Sequence, residues 1–269
     1  MSAQLKEVMK SKGSAKGLAK GPVKGRVSDA EWQTRVDLAA CYRLVAHYRM
    51  TDLIYTHISA RVPGPEHHFL INAYGLMFDE ITASALVKID LDGNILEDET
   101  GLGVNQAGFV IHSAVHKARE DLQCVIHTHS SAGIAVSAQA DGLLNISQHS
   151  MRYHKRIAYH DYEGIALDLD EQSRLQANLG KHSAMILRNH GLLACGVDVP
   201  DAWDNIYYLE RACQAQIAAQ SGGGKLAICS DAVAEKVATQ FARPGRPSAG
   251  KQWVASLRLL DKLDPSYRH

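Results

Sequence analysis

The six residues Cys124-Val125-Ile126-His127-Thr128-His129 constrain this chain more than any other stretch. They read as a short buried strand, and the strand period of two puts His127 and His129 on one face, where both imidazoles reach the same point. Two histidines leaving the end of a buried strand can also be ordinary polar residues. A third imidazole separates the two readings, because a buried pair needs partners. The stretch Ile186-Leu187-Arg188-Asn189-His190-Gly191-Leu192-Leu193 supplies it: an apolar run breaks at Arg-Asn-His-Gly and resumes at once, the pattern of a tight turn between two buried strands with His190 at its tip. Three imidazoles around a divalent ion, zinc foremost, leave one coordination position for a substrate, which marks a catalytic centre rather than a structural one.

Composition narrows the class. With 46% of its 269 residues apolar, the chain buries a substantial core, and one folded domain with tails is the simplest organisation. Lys plus Arg and Asp plus Glu each number 29, so no overall field favours nucleic acid, and none is expected as a partner. The five cysteines are scattered without a CxxC pair, which points to a reducing compartment and a cytoplasmic protein. No apolar run has the length of a membrane span.

Along the chain, residues 1–27 form a basic arm in which Lys6, Lys10, Lys12, Lys16, Lys20, Lys24 and Arg26 face a single Glu7; an arm of this composition is expected to be disordered. A domain follows over 28–222, with a helical extension over 223–269. Ser28-Asp29-Ala30-Glu31 has the form of a capping box opening a helix to about Tyr48, with Val36, Ala39, Ala40 and Leu44 inward. Short β-like runs at Ile54 to Val62, Phe69 to Asn72, Leu86 to Leu91 and Asn94 to Leu96, with a helical turn from Asp79 to Ala83, predict an antiparallel meander. Helical spacing returns from Phe109 to Ala118. Ser130 and Ser131 cap a helix through Ala140, and Asp168 and Asp170 open another that closes at Gly180. Strands Ala184 to Leu187 and Leu192 to Cys195 flank the His190 turn. Asp198-Val199-Pro200 starts a long helix that Ser221-Gly222-Gly223-Gly224 ends, and two further helices run over Ala232 to Phe241 and Lys251 to Leu263.

The remaining chemistry is weaker. His112 and His116 are one helical turn apart but lack the glutamate of the HExxH pattern, so they are placed in the core or on the surface. His67 and His68 follow Pro63-Gly64-Pro65 in a loop and are expected to be exposed. There is no GxSxG, phosphate loop or dinucleotide fingerprint.

Taken together, the His127-Thr128-His129 strand, the Asn189-His190-Gly191 turn and the intervening Asp161-Tyr162-Glu163-Gly164-Ile165 resemble the class II aldolase/adducin family. The adducin-head branch is most similar, through Ile54-Tyr55-Thr56-His57-Ile58-Ser59-Ala60-Arg61-Val62-Pro63-Gly64 and Leu70-Ile71-Asn72-Ala73-Tyr74-Gly75-Leu76. The resemblance implies an α/β fold, a three-layer α/β/α domain around a mixed, largely antiparallel sheet, assembled as a homotetramer with sites near subunit boundaries. It implies a divalent metal, most often zinc (Zn2+), on His127, His129 and His190. It also implies substrate contacts at Thr56, His57, Asn72, Tyr74, Gly75, Asn105 and Gln106. Family aldolases use a glutamate upstream of the first histidine as acid/base; aligned on His112, that position is Gly108 here. His149, Tyr153 or a metal-bound hydroxide are then the candidate proton carriers. The implied activity is that of an aldolase-like, metal-dependent lyase acting on a small oxygenated or phosphorylated substrate. The alternative is a non-catalytic, adducin-like interaction module with a structural or vestigial metal site.

Overall fold

The structure, a computed structural model, describes residues 22–164, 171–242 and 250–269, apart from the side chains of Gln106, Ala107 and Phe109. Its first long helix, α1 (Asp29–His47), starts where the sequence places it: the Ser28 hydroxyl accepts the Glu31 amide at 3.1 Å, satisfying one of the donors that every helix start leaves open. Val36, Ala39, Ala40 and Leu44 are all buried. Arg35 is buried too, and its charge is answered by Glu31 at 2.9 Å and Glu97 at 3.3 Å while its guanidinium donates to the Ala83 and Leu86 carbonyls. Lys88 closes the cluster on Glu31 at 2.7 Å. Pairing of this kind is the condition for keeping a guanidinium out of water, and it ties α1 to the strands beyond it.

Those strands are β1 (His57–Arg61), β2 (Phe69–Ile71), β3 (Val87–Ile89) and β4 (Ile95–Glu97), an antiparallel meander as expected. With β5 (Cys124–Thr128), β6 (Ala158–His160), β7 (Ala184–Leu187) and β8 (Gly191–Gly196), they make one 8-stranded sheet of order β4-β3-β2-β1-β5-β8-β7-β6. The sheet is mixed, since β6 runs parallel to β7 while the other pairs are antiparallel. Helices α2 (Gln106–Ala118), α3 (Ser131–Ser137), α4 (Gln148–Met151), α5 (Glu171–Leu179), α6 (Val199–Ser221), α7 (Asp231–Phe241) and α8 (Lys251–Leu263) complete the chain.

Alternation along the central strands divides the core in two. Ile58, Cys124, Ile126, Leu192 and Ala194 pack toward α1 and α6, while Val125, Leu193 and Cys195 pack toward α2 and α5. Both faces are covered, which gives the three-layer α/β/α arrangement. The C-terminal extension packs on the same domain, burying Trp253, Leu260 and Tyr267 in the α1/α6 core. Part of the basic arm is also engaged: Val23 is buried in a 3-10 turn, and Arg26 meets Glu99 at 2.6 Å. Residues 1–21 of that arm, and Asp168 and Asp170, lie outside the described residues.

Several boundaries move. Helix α3 stops at Ser137, short of Ala140, and the turn expected at Asp79 to Ala83 is a 3-10 helix at Ala83–Ala85. The sequence reading has no strand at β6; three residues show too little of a period of two to be read. Among the described residues, no helix is long and apolar enough to cross a membrane.

Gly196 ends β8 against the first turn of α6, where a Cβ would run into the Ala202 amide nitrogen and stand 2.8 Å from the Asp201 carbonyl carbon. Backbone cannot step aside as a side chain can. Gly196→Ala is therefore expected to cost roughly 1–3 kcal/mol or more of stability through overpacking, read as an earlier urea midpoint with an unchanged slope.

Candidate metal centre

Strand β5 delivers His127 on the α2 side of the sheet, opposite His57 in the antiparallel register with β1. The next inward position, His129, lies just past the strand end. There the chain turns at Ser130, whose hydroxyl accepts the Gly133 amide and so caps α3. The same hydroxyl makes a short hydrogen bond to the buried carboxyl of Glu210 on α6, and burial pushes that carboxyl's pKa up. His190 arrives from the turn between β7 and β8. Asn189 takes φ 55° there, and the His190 amide donates to the Leu187 carbonyl at 3.1 Å. Gly191 permits the approach, because a Cβ at that position would strike the Thr128 carbonyl.

The three imidazoles each offer one nitrogen, and these nitrogens lie within 4.8 Å of one another. Their protonation follows from what stands behind them. His127 Nδ1 lies 2.9 Å from the Leu192 carbonyl oxygen, which can only accept, so the proton is on Nδ1 and Nε2 is bare. His129 Nδ1 donates to Asp52 at 2.9 Å. Nε2 of His127 and Nε2 of His129 face each other at 2.9 Å. Tetrahedral zinc with Zn–N bonds near 2.05 Å holds its nitrogens about 3.3 Å apart, so loading would open the His127–His129 pair slightly and draw the wider contacts of the set, up to 4.8 Å, together.

The site also keeps its rings in the form that binds metal. Burial lowers the pKa of His127, and His190, His57 and His129 lower it further. Burial likewise brings His190 down to about 4, aided by His129 and His160. Both rings are thus neutral at neutral pH, and Asp52 behind His129 is the carboxylate partner that orients a metal-binding imidazole. The donor set fits a divalent ion, with His127, His129 and His190 as its holders.

A second polar group lies behind the first. His57 is buried and bonds through Nδ1 to His112 Nε2 at 2.8 Å. Ser59 Oγ stands between His112 Nδ1 at 2.6 Å and His116 Nε2 at 2.8 Å. Burial lowers the pKa of all three rings. The His57 ring occupies the space in front of Gly108, where an added Cβ would lie 2.5 Å from His57 Cδ2 and 2.8 Å from Cγ. The position at which the resemblance expects a glutamate is therefore glycine because an imidazole from β1 fills its place.

The other candidate residues are dispersed around this centre. Thr56 is buried in a left-handed conformation, φ 67°, and its hydroxyl has no hydrogen-bond partner. Asn72 accepts from the Tyr42 hydroxyl at 2.8 Å in the core. Tyr74 stands beside exposed Tyr55 with ring centroids 6.5 Å apart. Gly75 is exposed at φ 120°, Asn105 is half-buried, and the Gln106 side chain lies outside the described residues. Tyr153 is buried in the α1/α6 core, with its hydroxyl donating to the Asn205 carbonyl at 2.6 Å. The His149 ring packs on Tyr208 at 5.0 Å. Within this chain, the fold does not bring Tyr153 or His149 to the three histidines. Asp52 and Ser59 escape the sequence reading. For Ser59, its spacing of two from His57 on one strand is a usable signal.

Comparison with known proteins identifies the family and fold. The profile of the family described as "Class II Aldolase and Adducin N-terminal domain" matches residues 36–217. A solved aldolase II superfamily protein from Pseudomonas syringae is 58% identical, with TM-score 0.89, covering 93% of this chain and 100% of its own. The L-fuculose 1-phosphate aldolase of Glaciozyma antarctica is 27% identical, with TM-score 0.79, covering 94% and 97%. Alpha-adducin of Rattus norvegicus is 42% identical over 245 residues, which are 85% of this chain but 33% of that protein.

Two outcomes are expected. His190→Ala removes one of three donors, and elemental analysis of protein purified with zinc should fall from about one ion per chain in the wild type to well below it in the variant. In the metal-free protein, stability should fall as pH drops below 6.5. The unfolded chain takes up protons there, while the folded chain refuses them down to about 4 at His190 and about 3 at His116. Each such group contributes up to about 1.4 kcal/mol per pH unit. A melting temperature that stays flat across that window in chelator would contradict the buried neutral rings.

Proposed function

The chain belongs to the class II aldolase and adducin family, and from that premise we propose that it is a zinc-dependent, aldolase-like lyase acting on a small oxygenated or phosphorylated substrate. The observation that carries the proposal is the convergence of three imidazole nitrogens, two of them 2.9 Å apart on rings fixed from behind by Leu192 and Asp52, with His190 alongside. A purely structural group would not need three imidazole donors meeting at the sheet edge beside exposed Tyr162, whose ring lies 6.1 Å from His190.

When bound, the ion supplies Lewis acidity toward substrate oxygens. The protein does the rest. His127, His129 and His190 hold the ion, and Asp52 orients one of them. His57 brings a neutral imidazole beside the centre, and Thr56, Tyr74, Gly75 and Asn105 are the proposed substrate contacts. Similarity to the L-fuculose 1-phosphate aldolase of Glaciozyma antarctica supports the proposed substrate class. A homotetramer in the cytoplasm is part of the same proposal.

Gly108 favours a second reading, an adducin-like interaction module, since no carboxylate stands at the position family aldolases use. One experiment separates the two. Zinc-loaded protein is incubated with a panel of sugar phosphates and hydroxy acids in heavy water, and aldehyde release and deuterium uptake are followed. We expect zinc-dependent cleavage or exchange with at least one compound, lowered roughly a hundredfold or more in His127→Ala, the worth of several kcal/mol of charge stabilisation. Full zinc loading with neither cleavage nor exchange across the panel favours the interaction module.

A further inference from the structure

The parallel pair β6–β7 has two ends, and the metal centre draws on one of them, since His190 follows the last residues of β7. Parallel strands also bring together the segments that lead into them. Residues 155–157 enter β6 at Ala158 and residues 181–183 enter β7 at Ala184, in a register that pairs Ala158 with Met185. Each segment is fixed by a turn: the Arg156 amide donates to the Tyr153 carbonyl and the His182 amide to the Leu179 carbonyl, both at 2.9 Å. Between them, with α7 supplying Glu235, lies a cavity of about 410 Å³ lined by Lys155, Arg156, Lys181, His182, Ser183 and Glu235. That volume is within the range of small-molecule sites.

Three permanent cations line this space against one carboxylate. Glu235 pairs with Arg156 at 2.8 Å. The Arg156 guanidinium also donates to the His154 carbonyl at 3.1 Å and to the Thr239 hydroxyl at 3.3 Å, so its position is set before any ligand arrives. Lys155 reaches Asp231 only at 3.6 Å, with both side chains largely exposed, and a pair of that kind holds little energy in water. Lys181 has no ion-pair partner among the described residues. The excess is felt by His182. Burial, then the charges of Lys181 and Arg119, lower its pKa against the pull of a hydrogen bond to the Arg156 backbone.

We propose that this recess, at the opposite end of β6 and β7 from the metal centre, is a second ligand site that binds a small, multiply charged phosphate anion of the diphosphate type. Lys155 and Lys181 hold the anion from the two entering segments, Arg156 stands ready on Glu235, and Ser183 adds a hydroxyl donor. Charge-assisted bonds from separate cations suit adjacent phosphoryl groups better than a single carboxylate. The cations converge on one cavity instead of tracking along a groove, which favours a compact anion over a nucleic-acid backbone. Nothing in this site depends on the metal-centre reading.

Calorimetric titration with inorganic pyrophosphate, at low salt, tests the site in the wild type, Lys155→Ala, Lys181→Ala and His190→Ala. We expect one site per chain, weakened about tenfold or more in each lysine variant, the worth of one hydrogen bond to a charged group, and retained in His190→Ala. Both lysines are exposed, so their removal leaves the fold intact. Binding abolished in His190→Ala but retained in both lysine variants belongs to the metal centre and overturns the proposal. So does the absence of binding at millimolar pyrophosphate, or equal affinity for sulfate at matched ionic strength, which marks unspecific pairing. A second readout follows His182 by magnetic resonance of labelled histidine, assigned with His182→Gln. An anion in the recess favours the protonated ring, so the pKa of His182 should rise when pyrophosphate is added; an unmoved His182 with pyrophosphate bound places the anion elsewhere and overturns the proposal.

Discussion

The pairing of β1 with β5 is the constraint on which the rest depends. Its register sets His57 opposite His127 and Ile58 opposite Ile126. A slip of one residue would exchange the faces of every side chain on the strand. The isoleucines would then leave the α1/α6 core, and the imidazoles would enter it without the partners they now have on the α2 side. The same ladder therefore specifies the hydrophobic core and the polar centre, and neither can be rearranged without the other. Neighbouring β8 extends the argument, since its pairing of Leu193 with His127 and Leu192 with Thr128 brings the Leu192 carbonyl to His127 Nδ1 and the His190 turn to the strand end.

The molecule handles buried polarity in two ways. Around Arg35, opposite charges are paired, with Glu31 and Glu97 on the guanidinium and Lys88 on Glu31. Around the histidines, charge is avoided: His57, His112, His116 and His127 are driven neutral by burial, and their polarity is met by hydrogen bonds to one another, to Ser59 and to the Leu192 carbonyl. Neutral rings are cheaper to bury than ions but demand a consistent proton order. One misplaced proton breaks a bond in the row.

Where the sequence is legible, a period or a cap carries the signal. The Ser28 cap, the meander, the Asp198 cap of α6 and the His127/His129 pair all follow from local chemistry, and the structure brings His190 to that pair from sixty residues away along the chain. The hydrogen-bonded row of His57, His112, Ser59 and His116 is less legible because it is an agreement between two elements. His112 and His116 share a face of α2 by helical spacing, and His57 and Ser59 share a face of β1 by strand spacing. Nothing in either stretch alone says that the two faces meet. Asp52 is harder still, since it reaches His129 from an irregular segment before β1, where no repeating pattern exists to read. Tyr153 and His149 show the opposite failure: their place in a histidine-rich segment suggests the site, but the fold turns Tyr153 toward Asn205 and His149 toward Tyr208.

Gly108 acquires its meaning only from the side chain that fills the space before it. A carboxylate at that position would stand beside the metal centre as an anion, and it would leave no room for His57. With imidazole in its place, no carboxylate faces the centre from α2, and Asp52, bonded to His129, is set behind the donors rather than among them. A divalent ion held this way keeps more of its charge than one with a carboxylate ligand, which favours an anionic or strongly polarised substrate oxygen. The exchange of glutamate for histidine thus removes a group able to take a proton as an anion and substitutes one that offers a lone pair without adding charge. Any reaction proposed for this centre has to draw on that difference.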